Sequence, residues 1–348
     1  MFMCPFRKKR DNFITDGAYH KSLYIYSRFH HDTIMSYMKN SPIVVIGSSN
    51  TDMVVQTEHL PRPGETILGG KFFMNPGGKG ANQAVAAARL GGTVIFIART
   101  GDDIFGKQSV ELFKQEGIDT SHIITDTNNP SGIALITVDK QGENCIVVAS
   151  GANAALEPSD IDKIKQVIQE AGIVLVQLEI PLDTVEFVIE QASSANRKLI
   201  LNPAPARGLP DNILKKISII TPNETEAEML TGIKIKDFAT AEKAAKKLKD
   251  RGVETVIITL GAEGALILHE NECLLNPSPV VQAVDTTAAG DVFNGALAVA
   301  LSENKSIAEA VQFACKAASI SVTRLGAQSS APYKNELNIQ LSDLSQGP

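Results

Sequence analysis

Apolar residues fall along this chain in short unbroken blocks. Residues 43–47, 93–98, 173–176, 198–201, 217–220 and 255–259 are each four to six residues long, rich in Ile and Val, and interrupted by almost nothing polar. Between them the apolar positions change period. Ala84, Val85, Ala87, Ala88 and Leu90 recur at helical spacing and stop at Gly91-Gly92, residues 105–116 stop at Gly117, and residues 239–249 form a Lys/Ala-rich amphipathic run. Short blocks with no polar face suit strands buried on both sides, and helices between them supply the cover. The pattern predicts an α/β fold, a doubly wound and mostly parallel sheet flanked by helices. One stretch breaks the rule: residues 133–138 and 145–149 are joined by the polar Lys140-Gln141-Gly142-Glu143-Asn144, which predicts a hairpin. With residues 54–56 and 67–73 it predicts a small second sheet, a lid.

At 348 residues and 43% hydrophobic, the chain can bury one large core, expected over residues 41–335, with a tail at 336–348. No apolar run is long enough to span a bilayer. A net charge of −6 leaves no footprint for nucleic acid. Cys4, Cys145, Cys273 and Cys315 show neither disulfide nor zinc spacing, which points to a reducing cytoplasm. Residues 1–40 differ from the rest: they hold four of the five tyrosines and the basic run Arg7-Lys8-Lys9-Arg10, without sustained periodicity. A disordered or non-essential extension is expected there.

Candidate chemistry gathers where apolar blocks end. Asp285-Thr286-Thr287-Ala288-Ala289-Gly290-Asp291 runs directly into a helical pattern, so backbone N–H groups and a helix dipole converge on one spot suited to phosphate. Asp291 there is either a helix-capping residue or a base for a hydroxyl that attacks phosphorus. Gly77-Gly78-Lys79-Gly80-Ala81-Asn82 opens a second helix. Its glycines allow close approach of a ligand, and Lys79 and Asn82 offer donors to sugar hydroxyls. Gly80 stands where a Walker A loop needs Ser or Thr. Ser48-Ser49-Asn50-Thr51-Asp52 follows the first strand, at the sheet edge where α/β folds bind ligands. Asn50 and Asp52 could equally be structural, Glu179 a solvated strand-end carboxylate, and Lys79 a solvated loop cation.

Taken together, Gly47-Ser48-Ser49-Asn50-Thr51-Asp52, Gly77 to Gln83, Gly151-Ala152-Asn153, Gln177-Leu178-Glu179, Asn202-Pro203-Ala204-Pro205-Ala206, Thr221 to Glu228, Thr259-Leu260-Gly261 and Asp285 to Asp291 occur in an order that resembles the ribokinase family of carbohydrate kinases, which also includes fructokinases and adenosine kinases. The resemblance covers residues 42–335. It implies phosphorylation of D-ribose at its 5-hydroxyl by ATP, with another sugar, a nucleoside or a non-catalytic sugar sensor as the alternatives. In family terms the sugar is held by Asn50, Thr51, Asp52, Gly78, Lys79, Gly80, Ala81, Asn82 and Glu179. Asp291 is the base, and the N–H groups of Ala288, Ala289 and Gly290 form the anion hole. Nucleotide contacts fall to Asn223, Thr259, Leu260, Gly261, Ala262, Glu263, Gly264, Gly290, Asp291 and Cys315, with Cys315 reading first as a small apolar packing residue. Glu226 organises Mg²⁺ through water. Asp285, Thr287, Ser321, Arg324, Gly326 and Ser330 surround K⁺, Arg324 through its carbonyl. The lid is implied to be a homodimer contact. Many relatives carry Gly where this chain has Ala288, so the loop must tolerate a Cβ there.

Overall fold

The computed structural model describes residues 41–68 and 70–338. The expected extension at 1–40 and residues 339–348 of the expected tail lie outside that range. The strands in chain order are β1 (Ile43–Ile46), β2 (Asn50–Gln56), β3 (Lys71–Gly77), β4 (Val94–Gly101), β5 (Ile123–Asp126), β6 (Gly132–Val138), β7 (Asn144–Ala149), β8 (Ile173–Val176), β9 (Lys198–Leu201), β10 (Ile219–Ile220), β11 (Thr255–Thr259), β12 (Ala265–His269) and β13 (Glu272–Asn276). Nine of them form one sheet in the order β13-β12-β11-β10-β9-β8-β1-β4-β5, and the other four form the lid in the order β3-β2-β6-β7.

The apolar blocks explain the layering. In β1 all four residues are fully buried, and they divide by parity. Ile43 and Val45 pack with the helices Lys79–Arg89, Ala289–Ser302 and Ile307–Ser321, whereas Val44 and Ile46 pack with Leu182–Ser194 and Phe238–Asp250. Phe96 and Phe113 close the first layer edge to face, centroids 5.3 Å apart. Each such side chain contributes about 1.5–3 kcal/mol by leaving water. Strands β1, β4, β5 and β8 to β11 run parallel.

The structure differs from the sequence pattern in four places. An antiparallel hairpin, β12 and β13, extends the sheet at one edge. Its two-residue turn, Glu270-Asn271, leaves no room for a crossover helix, and Glu270 has φ 51°. At the other edge β5 adds a short parallel strand. The lid strand expected at 67–73 instead occupies Lys71–Gly77, carrying the chain straight from the lid into the Lys79–Arg89 helix. Leu337 is buried in the first core layer, so the packed body runs past the expected boundary at 335.

Candidate active site

Because the central strands are parallel, their C-terminal ends share one edge. Ser48, Gln177, Asn202 and Thr221 follow β1, β8, β9 and β10 there, and Thr259 ends β11. A cavity of about 220 Å³ opens beside them, lined among others by Lys79, Asn202, Asn223, Glu226, Thr286 and Asp291. The sequence places this site at the sheet edge, and the side chains meet there.

Asp291 lies in the first turn of the helix Ala289–Ser302 and is 5% exposed. Its Oδ2 accepts a hydrogen bond from Asn82 Nδ2 at 2.9 Å and its Oδ1 one from Gln83 Nε2 at 3.0 Å. Both donors come from the helix Lys79–Arg89, which lies against the Asp291 helix at Gly295. A Cβ at Gly295 would stand 2.7 Å from the Gln83 carbonyl and 2.8 Å from Ala86 Cβ, so the helices approach this closely only without one. Asp291 therefore does not cap its helix with its side chain; the carboxylate is turned into the cleft.

The sugar-binding candidates fall on the lid side. Asn153 donates to Asn50 Oδ1 at 2.8 Å and accepts from the Ser49 N–H at 2.9 Å, which fixes Asn50 at the start of β2. Along β2 side chains alternate, so Asn50 and Asp52 share a face and Thr51 points the other way. Asp52 packs against Gly77, where a Cβ would come within 2.3 Å of its carboxylate. Burial, then the charges of Glu179 and Asp291, push the Asp52 carboxyl up to about 6. Glu179 Oε2 accepts from Ser48 Oγ at 2.5 Å and from the Lys79 N–H at 3.0 Å, so it is built in and not a solvated strand end.

Lys79 reaches into the cavity, and the Asp291 charge, helped by Glu179 and Glu226, holds its ammonium above the usual lysine range despite burial. It is not a free loop cation. Asn82 Oδ1 is buried without a partner among the described residues, an acceptor suited to a hydroxyl. Gly78, at φ 89°, turns β3 into the helix against the backbone of Ser49 and Asn50. Gly80 and Ala81 are buried, and the Ala81 N–H is taken by the Ser48 carbonyl at 2.9 Å. These two serve packing and present no polar side chain to a sugar.

Ala288, Ala289 and Gly290 line the cavity at the start of the helix. Ala288 sits at φ 59°, the left-handed region that favours glycine, so the Cβ is accommodated in a conformation glycine would take without strain. On the expected nucleotide side, Asn223 and Thr259 reach the cavity. Gly261-Ala262-Glu263 form an exposed turn beyond β11, whereas Leu260 is buried in the second core layer. Gly264 packs tightly against the Asn276 carbonyl. Cys315 is 4% exposed within the first core layer, and burial pushes its thiol up to about 11; it packs as a small apolar residue.

Glu226 forms a capping box with Asn223. Its Oε2 accepts from the Asn223 N–H at 2.9 Å, and burial pushes the carboxyl upward against that bond. Asp285 accepts from the Thr287 N–H at 2.9 Å and the Gly326 N–H at 2.8 Å, which joins the loop before the helix Ala289–Ser302 to the segment after the last long helix. Burial works against that charge, but the bonds from Thr287 and Gly326 win and hold the carboxyl below its usual range. Ser321 and Ser330 are buried nearby in sequence order, and the Arg324 guanidinium is engaged by Glu336.

Four further residues complete the arrangement: Gln83, Gln177, Asn202 and Asn153. Gln83 donates to Asn202 Oδ1 at 3.0 Å and accepts from Gln177 Nε2 at 2.5 Å. Their signal in the sequence is that each is an amide beside an apolar block, where a buried position must otherwise leave polar atoms unpaired.

Comparison with known proteins bears on this arrangement. Residues 40–334 match the model of the pfkB family of carbohydrate kinases. A ribokinase of Haemophilus influenzae is 48% identical over 84% of this chain and 96% of its own length. The crystal structure of a ribokinase from Thermotoga maritima is 44% identical with a TM-score of 0.79, covering 86% of this chain and 98% of that one. The structure of the Arabidopsis thaliana ribokinase complexed with ribose and ATP is 35% identical with a TM-score of 0.82, covering 89% of this chain and all of that one.

Proposed function

Since the chain belongs to the pfkB family of carbohydrate kinases, we propose that it transfers the γ-phosphoryl group of ATP to the 5-hydroxyl of D-ribose, giving D-ribose 5-phosphate and ADP. The observation that carries this reading is Asp291: a buried carboxylate, both oxygens held by amide donors, in the first turn of a helix that opens on the cavity. A base so placed takes the proton of the attacking hydroxyl as it approaches phosphorus. The N–H groups of Ala288, Ala289 (here donating to the Thr286 carbonyl at 3.3 Å) and Gly290, with the Lys79 ammonium, would receive the negative charge that builds on the transferred group, and the helix dipole would add to them.

The sugar is held between core and lid by Asn50, Asp52, Asn82 and Glu179. Each acceptor left unpaired by a sugar lacking the matching hydroxyl costs about 1–3 kcal/mol, and that difference sets specificity. Mg²⁺, bound with ATP, would neutralise phosphate charge; Glu226, whose Oε1 takes no hydrogen bond among the described residues, is fitted to hold its hydration shell. The segment around Asp285, Thr287, Ser321, Arg324, Gly326 and Ser330 fits K⁺. The Arg324 guanidinium is spent on Glu336, so Arg324 could contribute only its carbonyl, alongside the other carbonyl and hydroxyl oxygens of the segment.

The lid also supports a homodimer. Phe72, Met74, Leu135 and Val147 are about half exposed or more and share one face of the small sheet by its strand register, the face opposite Asp52, and a second copy laid on that face would cover them. Val147→Asp should convert a dimer to monomer in light scattering; a mass unchanged from wild type would remove this surface from the interface. The exposed thiol of Cys145 on the same sheet suits a reducing cytoplasm. Among the described residues no helix is long and apolar enough to cross a membrane.

The deciding assay is ATP consumption with Mg²⁺ and K⁺ against ribose, deoxyribose, fructose, adenosine and no sugar. Preference for ribose is expected. Preference for another acceptor moves the specificity and keeps the chemistry, while no turnover in protein that still binds sugar replaces the enzyme with a sensor.

A further inference from the structure

Behind Asp291 lies a branched set of amides: Gln83 leads on one side to Gln177 in the core and on the other to Asn202 at the wall of the cavity. Gln83 and Gln177 are both fully buried, and Asn202 is 6% exposed. Hydrogen-bond bookkeeping fixes the orientation of each. An ionised carboxylate only accepts, so Gln83 must turn its nitrogen to Asp291 Oδ1 at 3.0 Å, and its second N–H goes to Asn202 Oδ1, also at 3.0 Å. Its oxygen is then left facing Gln177 Nε2 at 2.5 Å. Asn202, having accepted, donates to the Thr221 carbonyl at 3.3 Å. Reversing any one amide would set oxygen against oxygen within this set.

This arrangement is a poor way to stabilise a core. Gln177 Oε1 has no hydrogen-bond partner among the described residues and faces the backbone of Gly47. A buried carbonyl without a donor is unfavourable, and a methionine of similar size at 177 would avoid it. What Gln177 does achieve is to lock Gln83, and Gln83 is the one donor to Asp291 that lies wholly inside the protein. Asn82, the other donor, borders the sugar side and has an acceptor free for the substrate.

We propose that Gln83, locked from behind by Gln177, is the positioning residue that fixes the plane of the Asp291 carboxylate before substrate arrives. Asn82 joins the carboxylate to the sugar, and Gln83 joins it to the scaffold. The inference rests on the reading of Asp291 as the base. It assigns the rate of the chemical step, and not sugar affinity, to a residue that touches neither substrate.

Gln83→Met removes both donor and acceptor at nearly constant volume. In the full-length protein kcat should fall about 10–100-fold, the range for losing one hydrogen bond to a charged group, while the affinity for ribose measured by calorimetry stays within about threefold. Gln177→Met should lower kcat less, and add nothing once Gln83 is already methionine, because it acts through Gln83. Loss of ribose affinity at unchanged kcat, or additive effects of the two substitutions, would each overturn the proposal.

One readout does not depend on the sugar. The side-chain amide protons of Gln83, assigned by their loss in Gln83→Met, should be protected from exchange and should shift on Asp291→Asn. Unprotected protons, or resonances that Asp291→Asn leaves in place, overturn the positioning role even if no sugar is phosphorylated. A wild type that shows the protected, Asp291-dependent amide without turnover would overturn the kinase reading alone.

Discussion

The two ends of the cleft hold their carboxylates in opposite ways. At the core end, Asp291 stands on a helix whose every residue from Asp291 to Leu301 is buried, and both its oxygens are hydrogen-bonded. At the lid end, Asp52 stands on β2, pressed against Gly77, with its charge opposed by burial and by Glu179 and Asp291. One carboxylate is satisfied before anything binds; the other is not. The chemical group is thus built into the rigid part of the molecule, and the recognition group is left in want of a partner that a sugar hydroxyl can supply. The supports follow the same division: β1 is fully buried, whereas all six residues of β7 are exposed.

The largest effect that tests this division is on Asp291. Asp291→Asn preserves shape but cannot take a proton, so kcat should fall by roughly 10²–10⁴-fold, the range for losing a general base. Ribose binding, measured by calorimetry, should stay near its wild-type strength. Binding lost together with turnover would show that Asp291 mainly holds the sugar, and the two ends would no longer be distinct.

Asp52 should behave in the reverse manner. Its carboxyl is raised from 3.8 to about 6, so the folded state binds the proton more tightly than the unfolded chain does. Ionising it therefore costs stability: nothing below about pH 3.8, increasing between 3.8 and 6, and fully present above 6. Asp52→Asn should stabilise the fold at pH 7.5 by about 1–3 kcal/mol in urea unfolding and have little effect at pH 4, while weakening ribose binding at least tenfold. In the wild type, ribose affinity should decline as pH falls through about 6, because the protonated carboxyl is a poorer acceptor. A destabilised Asp52→Asn at pH 7.5 would mean that the carboxylate has partners of its own and that the contrast with Asp291 is false.

Much of this was legible in the sequence, for a physical reason. Unbroken apolar blocks such as Ile43–Ile46 can only be buried on both faces, so the parallel sheet follows, and the small residues before the helix Ala289–Ser302 do line the cavity. The lid hairpin followed from a polar turn between two apolar runs. What was missed has a different character. The β12–β13 hairpin is locally the same kind of apolar block as a parallel strand, and only its two-residue turn separates them. Gly80 and Ala81, read as sugar contacts, are also where helix and strand pack, since a small residue serves close approach to a ligand or to backbone equally well. Gln83 and Gln177 were quoted within motifs without a role. Their function is a matter of which amide faces which, over separations of 94 to 208 residues that spacing does not encode.

The smallest expected effect concerns the loop between the two ends. Ala288 holds φ 59°, where an alanine costs about 1–2 kcal/mol relative to its preferred regions. Glycine would remove that strain but enlarge the freedom of the unfolded chain, a loss of about 0.4–1 kcal/mol. Ala288→Gly should therefore stabilise the protein slightly, by about 0.5–1 kcal/mol in urea unfolding. The N–H at 288 remains in place, and kcat should stay within about threefold of wild type. Greater stability with unchanged kcat would show that the strain is incidental and that the anion hole needs only the N–H. Greater stability with a kcat reduced more than tenfold would instead mean that the alanine holds the loop in its working shape, making this loop a second preorganised element at the core end of the cleft. Destabilisation would show that the loop accepts the alanine without strain, in which case the left-handed turn is held there by the bonds of Asp285 to Thr287 and Gly326 and not by the residue at 288.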